Sequence, residues 1–185
     1  PTGTFAMFRS YMASVLGVDV ERDLTLVDKP PAQLLQSLET GEVDAVVLWE
    51  PLATKALRYG EEVASFSELW RRWSGLETPP PMVAYAVHEG FASERPSDLE
   101  ALLEARKRAA ELWEESPGGL LEALADKYGL TEAEAADMLG RVRVWPGDLT
   151  EEVVEGILRV WELAREGGYL TEDPGLLAEG AFWRP

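Results

Sequence analysis

The chain has no cysteine among its 185 residues and a single histidine, His88. Disulfides, thiolate-held metals and cysteine nucleophiles are therefore excluded, and a zinc site or a histidine-based catalytic relay has little to draw on. Basic residues are scarce too: 17 Lys and Arg stand against 34 Asp and Glu, a net charge of −17. A surface of that sign repels phosphate backbones and anionic headgroups, which argues against nucleic-acid binding. It leaves room for a small anion, because helix N-termini hold anions whatever the global charge. No apolar run approaches the ~18 residues that a membrane span needs. Direct membrane insertion is therefore not expected, and no signal peptide opens the sequence. Pro1 stands where an initiator Met would, so the chain reads as processed or truncated, with any targeting segment lost. P-loops, dinucleotide fingerprints, zinc motifs and nucleophile elbows are all missing, and no metal or cofactor is called for.

Hydrophobic residues make up 46% of the sequence, ample for a packed core in one medium domain or two small lobes. Phe5, Phe8, Met12 and Val15 recur at helical spacing from Thr4 to Leu16, and Gly17 ends the run. A short strand is expected over 23–27. After Pro30-Pro31, a helix over 33–40 carries Leu34, Leu35 and Leu38 and stops at Gly41. The nearly unbroken apolar run Val43 to Trp49 reads as a strand covered on both faces, with a helix over 51–59 behind it. Strand, helix and strand in so few residues predict a βαβ unit and a parallel sheet. A further short strand is expected over 62–65.

SGLETPPP, residues 74–81, is a Gly/Pro-rich break, and MVAYAV, 82–87, a further strand. Beyond it the pattern is helical. Capping boxes are expected at Ser97–Glu100, Thr131–Glu134 and Asp148–Glu151, and Pro117 opens a helix of its own. Leu99, Leu102, Leu103, Ala109 and Trp113 are available for burial on the first of these helices. On the last, which ends at Gly167-Gly168, Val153, Ile157, Trp161 and Ala164 form one stripe. The fold class is therefore α/β, with few strands for so many helices.

Few residues carry chemistry. Gly3 and Thr4 open a helix whose unpaired N–H groups, with the Thr hydroxyl, suit a carboxylate, sulfonate or phosphate; Thr2 or Thr4 as a simple N-cap is the plainer account. Trp49 ends a strand and can stack on a flat ring, while Glu50 beside it can accept from an amino group. The alternative buries Trp49 and leaves Glu50 as a first-turn helix acid. Asp44 caps or orients the turn after Gly41. Phe5 and Tyr85 are candidate cleft walls or plain core, and His88, alone at a strand-to-loop junction, is weak evidence for any site.

The order of segments resembles one family. LLQSLETGEVDAVVLWEPLATKAL, residues 34–57, is similar to a second-lobe segment of the periplasmic-binding-protein-like proteins of the nitrate/sulfonate/taurine and thiamine-pyrimidine-precursor group. The opening 27 residues resemble the helix that opens that group's second lobe, the PMVAYAV to ESPGG stretch its return segment and GGYLTEDPGL its C-terminal segment, in the right order. The resemblance implies a two-lobed fold in which 1–80 is the second lobe and 81–185 returns to the first lobe, whose N-terminal part is absent. It implies the solute-binding component of an ABC-type importer, closing on a small molecule and docking on a permease. Aminopyrimidines, sulfonates or taurine, nitrate and bicarbonate are the ligand range, and Gly3, Thr4, Phe5, Asp44, Trp49, Glu50 and Tyr85 the contacts. The location implied is periplasmic or extracellular, with a lipid anchor through the missing N-terminus as one form. The same resemblance admits an enzyme of the menaquinone-pathway type acting on a small aromatic carboxylate. The pyrimidine synthases of similar fold use a cysteine-rich motif and histidines, which this chain lacks. A ligand-sensing regulator would need a basic helix-turn-helix segment, and none is visible.

Overall fold

A computed structural model of the chain describes residues 3–115, 117–142, 144 and 148–183. They form eleven helices: α1 (Gly3–Leu16), α2 (Val20–Asp23), α3 (Pro31–Glu39), α4 (Leu52–Ala56), α5 (Phe66–Ser74), α6 (Glu89–Glu94), α7 (Pro96–Glu115), α8 (Pro117–Tyr128), α9 (Glu132–Arg141), α10 (Glu151–Glu166) and α11 (Pro174–Ala178). Two compact units interleave along the sequence. The first comprises Pro1–Asp23, Ser65–Glu111 and Trp145–Pro185, and the second Leu24–Ala64 and Leu112–Val144. The expected lobe boundary near Pro80 falls inside the first unit.

The first unit is built on α1, which packs against both α5 and α10. Met7 and Tyr11 of α1, Leu69 and Trp70 of α5 and Leu163 of α10 form its buried core, with Val15, Phe66, Trp73, Leu76 and Val160 packed around them. Trp70 is fully buried, and its indole N–H donates to the Thr78 carbonyl at 2.8 Å, so its one polar group is satisfied. The helix approach is close where side chains are small. Ser10 is fully buried on α1, and a Cβ added at Gly167, the residue that ends α10, would lie 1.9 Å from the Ser10 hydroxyl. The Arg9 guanidinium also donates to the Gly167 carbonyl.

The second unit has its core in the α8–α9 hairpin. Leu124, Leu130, Ala135 and Met138 are buried there, and Trp113, Leu120, Leu121 and Tyr128 pack against them. Thr131 makes the expected capping box with Glu134, and Gly129, at φ +62°, turns the chain between the two helices. In the same unit α4 packs against α3 and against α9.

The α/β expectation needs correction: among the described residues there is no strand. The segments 23–27, 43–49, 62–65 and 82–87 find no ladder partner. Asp23 instead closes α2, and Ser65 caps α5 by accepting from the Glu68 N–H at 3.1 Å. Val63 is 93% exposed and Val83 92%, so their apolar character is not spent on any core within these residues. A strand's backbone groups need a neighbour, and β-propensity measures the fit to a sheet surface that only such a neighbour creates.

Smaller corrections concern helix starts and buried faces. The helix expected to begin at Ser97 begins at Pro96. The last long helix is capped by Thr150, accepting from Val153, rather than by Asp148. On α1 the buried residues are Ala6, Met7, Ser10 and Tyr11, a face rotated from the Phe5/Phe8/Met12 stripe. On α7 the buried residue is Ala110, while Leu102 is 47% exposed. On α10 Gly156 and Leu163 are buried, and Trp161 of the expected stripe stacks on Phe182 with ring centroids 6.1 Å apart. Close helix approach selects small residues, which a search for large apolar side chains passes over. Thr2, one candidate N-cap of α1, lies outside the described residues.

The Ser10–Gly167 contact yields a paired test. Gly167→Ala should cost about 1–3 kcal/mol by overpacking. Gly119→Ala, inside α8 with open space around its added methyl, should stabilise by roughly 0.5–1 kcal/mol. Chemical denaturation of both variants checks the opposite signs.

Candidate functional site

The chain enters the candidate site from the end of α3. Gly41, at φ +70°, takes the left-handed turn, and the Glu42 N–H donates to the Ser37 carbonyl at 2.8 Å to finish the helix. A three-membered polar cluster fixes this turn. Lys29 Nζ donates to the buried Ser37 hydroxyl at 2.9 Å and to Glu42 Oε1 at 2.5 Å, and Ser37 Oγ donates to Glu42 Oε2 at 2.7 Å. These bonds, Lys29 first, hold the Glu42 carboxyl below its ordinary range. The cluster thereby orders the turn that follows α3.

Residues 43–49 then run extended to the turn that opens α4. Val46, Val47 and Leu48 are half-buried, whereas Asp44 is exposed and Trp49 is 51% exposed. The Trp49 ring is thus offered to solvent at the end of an apolar run. Its carbonyl accepts from the N–H groups of Leu52 and Ala53 at 3.0 and 3.1 Å, and the Glu50–Pro51 bond is cis. Glu50 is half-buried, and its Oε2 accepts from the Thr54 N–H at 3.0 Å and the Thr54 hydroxyl at 2.7 Å. Thr54 itself is buried. One carboxylate oxygen therefore caps α4, and Oε1 stands outside that cap.

The remaining candidates lie in the other unit. Gly3 and Thr4 form the first turn of α1, Gly3 exposed and Thr4 and Phe5 half-buried. Tyr85 is 71% exposed on the extended segment after Pro81, and His88 is the exposed N-cap residue of α6. The structure thus groups Gly3, Thr4, Phe5 and Tyr85 in the first unit and Asp44, Trp49 and Glu50 in the second. Among the described residues, no group of three or more His, Asp or Glu could hold a metal ion, and no helix is long and apolar enough to cross a membrane.

One feature that residue spacing misses stands behind α4. Arg58 makes a bidentate pair with Glu134 of α9, Nε to Oε1 at 2.6 Å and Nη2 to Oε2 at 2.8 Å. Four residues on, Glu62 accepts from Arg141 at 2.6 Å. The partners are separated by 76 and 79 positions. The only sequence signal was the capping box that already used Glu134.

The sequence pattern of the NMT1-like family matches residues 1–124. The chain belongs to the NMT1-like family. It is also similar to the nitrate/nitrite binding protein NrtA of Synechococcus elongatus, with 31% identity over 197 aligned residues that take in 99% of this chain. The chain spans 41% of that relative's length. No solved structure matches it. Membership of the NMT1-like family agrees with the resemblance in the order of the sequence segments.

Glu134 gives this region a pH signature. Its pair with Arg58, then its bonds to Thr131, bring its pKa from 4.5 to about 2. A carboxyl lowered on folding contributes stability that is complete above the unfolded value and lost as pH falls toward the folded one. Glu134→Gln should therefore lower the Tm at neutral pH and flatten its fall between pH 4.5 and 2, measured by a melting series across that range.

Proposed function

We propose that this chain is part of the solute-binding component of an ABC-type importer, and that its first ligand class is nitrate or nitrite. The observation that carries this is its family membership together with a nitrate/nitrite binding relative aligned over 99% of the chain. In this reading 1–80 belongs to the second lobe of a two-lobed α/β protein and 81–185 to the return into the first. The extended apolar segments 23–27, 43–49 and 82–87 then join sheets completed by the rest of the protein. Gly3 and Thr4 supply N–H donors at the head of a 14-residue helix, the local chemistry that holds a small oxyanion against a net charge of −17. The same reading assigns Asp44, Trp49 and Glu50 to ligand contact, with Phe5 and Tyr85 as walls. Closure follows if the ligand has higher affinity for the shut form, which then docks on the permease outside the cytoplasmic membrane.

A second ligand reading rests on Glu50. A half-exposed indole beside a carboxylate oxygen left out of the helix cap suits a flat amine, such as an aminopyrimidine, better than an anion.

Thermal-shift titration of the full-length protein against nitrate, nitrite, taurine and an aminopyrimidine separates the two. At a hundred times Kd a ligand should raise stability by about 2.7 kcal/mol. Glu50→Gln keeps an oxygen for Thr54. It should leave nitrate affinity unchanged or higher, but weaken an amine roughly ten- to a hundredfold. No stabilisation by any of the four would overturn the solute-binding reading.

A further inference from the structure

The helix behind Trp49 and Glu50 is too short to hold its own place. α4 has five residues, about a turn and a half, and a helix of that length has no independent stability. The Glu50–Thr54 cap fastens the Trp49 turn to α4, so whatever fixes α4 also fixes the indole and the carboxylate. At its far end the chain continues through Leu57 and Arg58, whose N–H groups still bond back to Thr54 and Lys55 at 3.3 and 3.2 Å. Arg58 is thus the last side chain on the same hydrogen-bonded rod.

That side chain reaches the turn of the α8–α9 hairpin. Its fork takes both oxygens of Glu134 and extends a longer contact, 3.4 Å, to the Gly129 carbonyl at the end of α8. It therefore places a cation between a helix C-terminus and the first-turn acid of the next helix, two positions that both favour it. Glu134 is itself held from the other side, accepting from the Thr131 N–H at 2.7 Å. The second pair, Glu62 with Arg141, follows in register. Positions 134 and 141 are about 10 Å apart along a helix, and 58 to 62 span at most about 13 Å of chain. Residues 58–62 are thus tied to α9 at its first turn and at its last. Exposed single ion pairs contribute little, but a bidentate pair backed by a capping box fixes geometry as well as charge.

We propose that Arg58 and Glu134 are positioning residues for the Trp49–Glu50 turn, and that the α8–α9 hairpin is the platform on which this part of the ligand site is set. The ligand consequence rests on the solute-binding reading; the positioning itself does not. A site held by a rigid supporting layer loses affinity when that layer loosens, without any ligand contact being removed.

The test uses the full-length protein with Arg58→Met, which leaves the Glu134–Thr131 capping box intact, and Arg58→Lys, which keeps the charge but not the fork. Arg159→Met, which removes an exposed pair with Glu162, is the control. Hydrogen exchange read by mass spectrometry over 50–58 should speed up in Arg58→Met, less in Arg58→Lys and not in the control. Nitrate affinity by calorimetry should fall in the same order, roughly 3- to 30-fold for Arg58→Met. Unchanged exchange over 50–58 overturns the positioning role. Faster exchange with wild-type nitrate affinity overturns its bearing on the ligand. If the wild-type protein binds no nitrate, the nitrate reading falls, and the exchange result still decides whether Arg58 positions the turn.

Discussion

A helix closes its backbone hydrogen bonds within its own segment, whereas a strand depends on a neighbour for its own. This constraint sorts the whole chain. Where the local pattern is helical, the segment forms, and most such helices pack on another: α1 with α5 and α10, α8 with α9, α4 with α3 and α9. Where the pattern calls for a strand, no ladder forms among the described residues, and residues such as Val83 and Tyr85 are exposed. The two cores that result are small and drawn mostly from helices. The first is centred on three deeply buried side chains, Trp70, Tyr11 and Leu163.

What the sequence made legible follows the same division. Gly17, Gly41 and Gly168 each sit at positive φ where a helix was expected to stop, because only a residue without Cβ takes that turn cheaply. The Thr131–Glu134 box is present as expected, its bonds spanning only three positions. α5 was missed although Ser65 and Glu68 have the same spacing as that box, because Val63 and Ala64 suggested a strand through Ser65. The miss was consequential, since α5 carries Trp70. Buried faces were displaced toward large residues for a different reason. Ser10 and Gly167 are chosen by how near α1 and the end of α10 come, and Gly156 by the approach of Pro81, properties that no single segment states alone.

The candidate site was legible to the same depth. The Trp49–Glu50 turn announces itself by a strand-like run meeting a helix start, a local signal. That Glu50 spends one oxygen on Thr54 is local as well, at a separation of four. The tie from Arg58 to Glu134 crosses 76 positions and is written in two ordinary charged residues. Nothing in their immediate surroundings marks them, because the meaning of each lies in the other.

The charge pattern around the turn bears on what kind of recognition is open to it. Of the cations flanking the segment, Lys55 lies on α4 itself, and three others are committed: Lys29 to Glu42, Arg58 to Glu134, and Arg141 to Glu62 and Asp137. Withdrawing any of them to face a ligand would leave its carboxylate partner uncompensated on a chain already at −17. A small oxyanion can also be held by neutral donors, backbone N–H groups at a helix start such as the first turn of α1 above all. Such donors distinguish ligands by shape and hydrogen-bond geometry more than by charge. A neutral or cationic ring at Trp49 would draw instead on the indole face and the uncommitted oxygen of Glu50. The two ligand readings thus call on different groups, and the mounting of α4 on the α8–α9 hairpin bears on whichever ligand touches the Trp49–Glu50 turn.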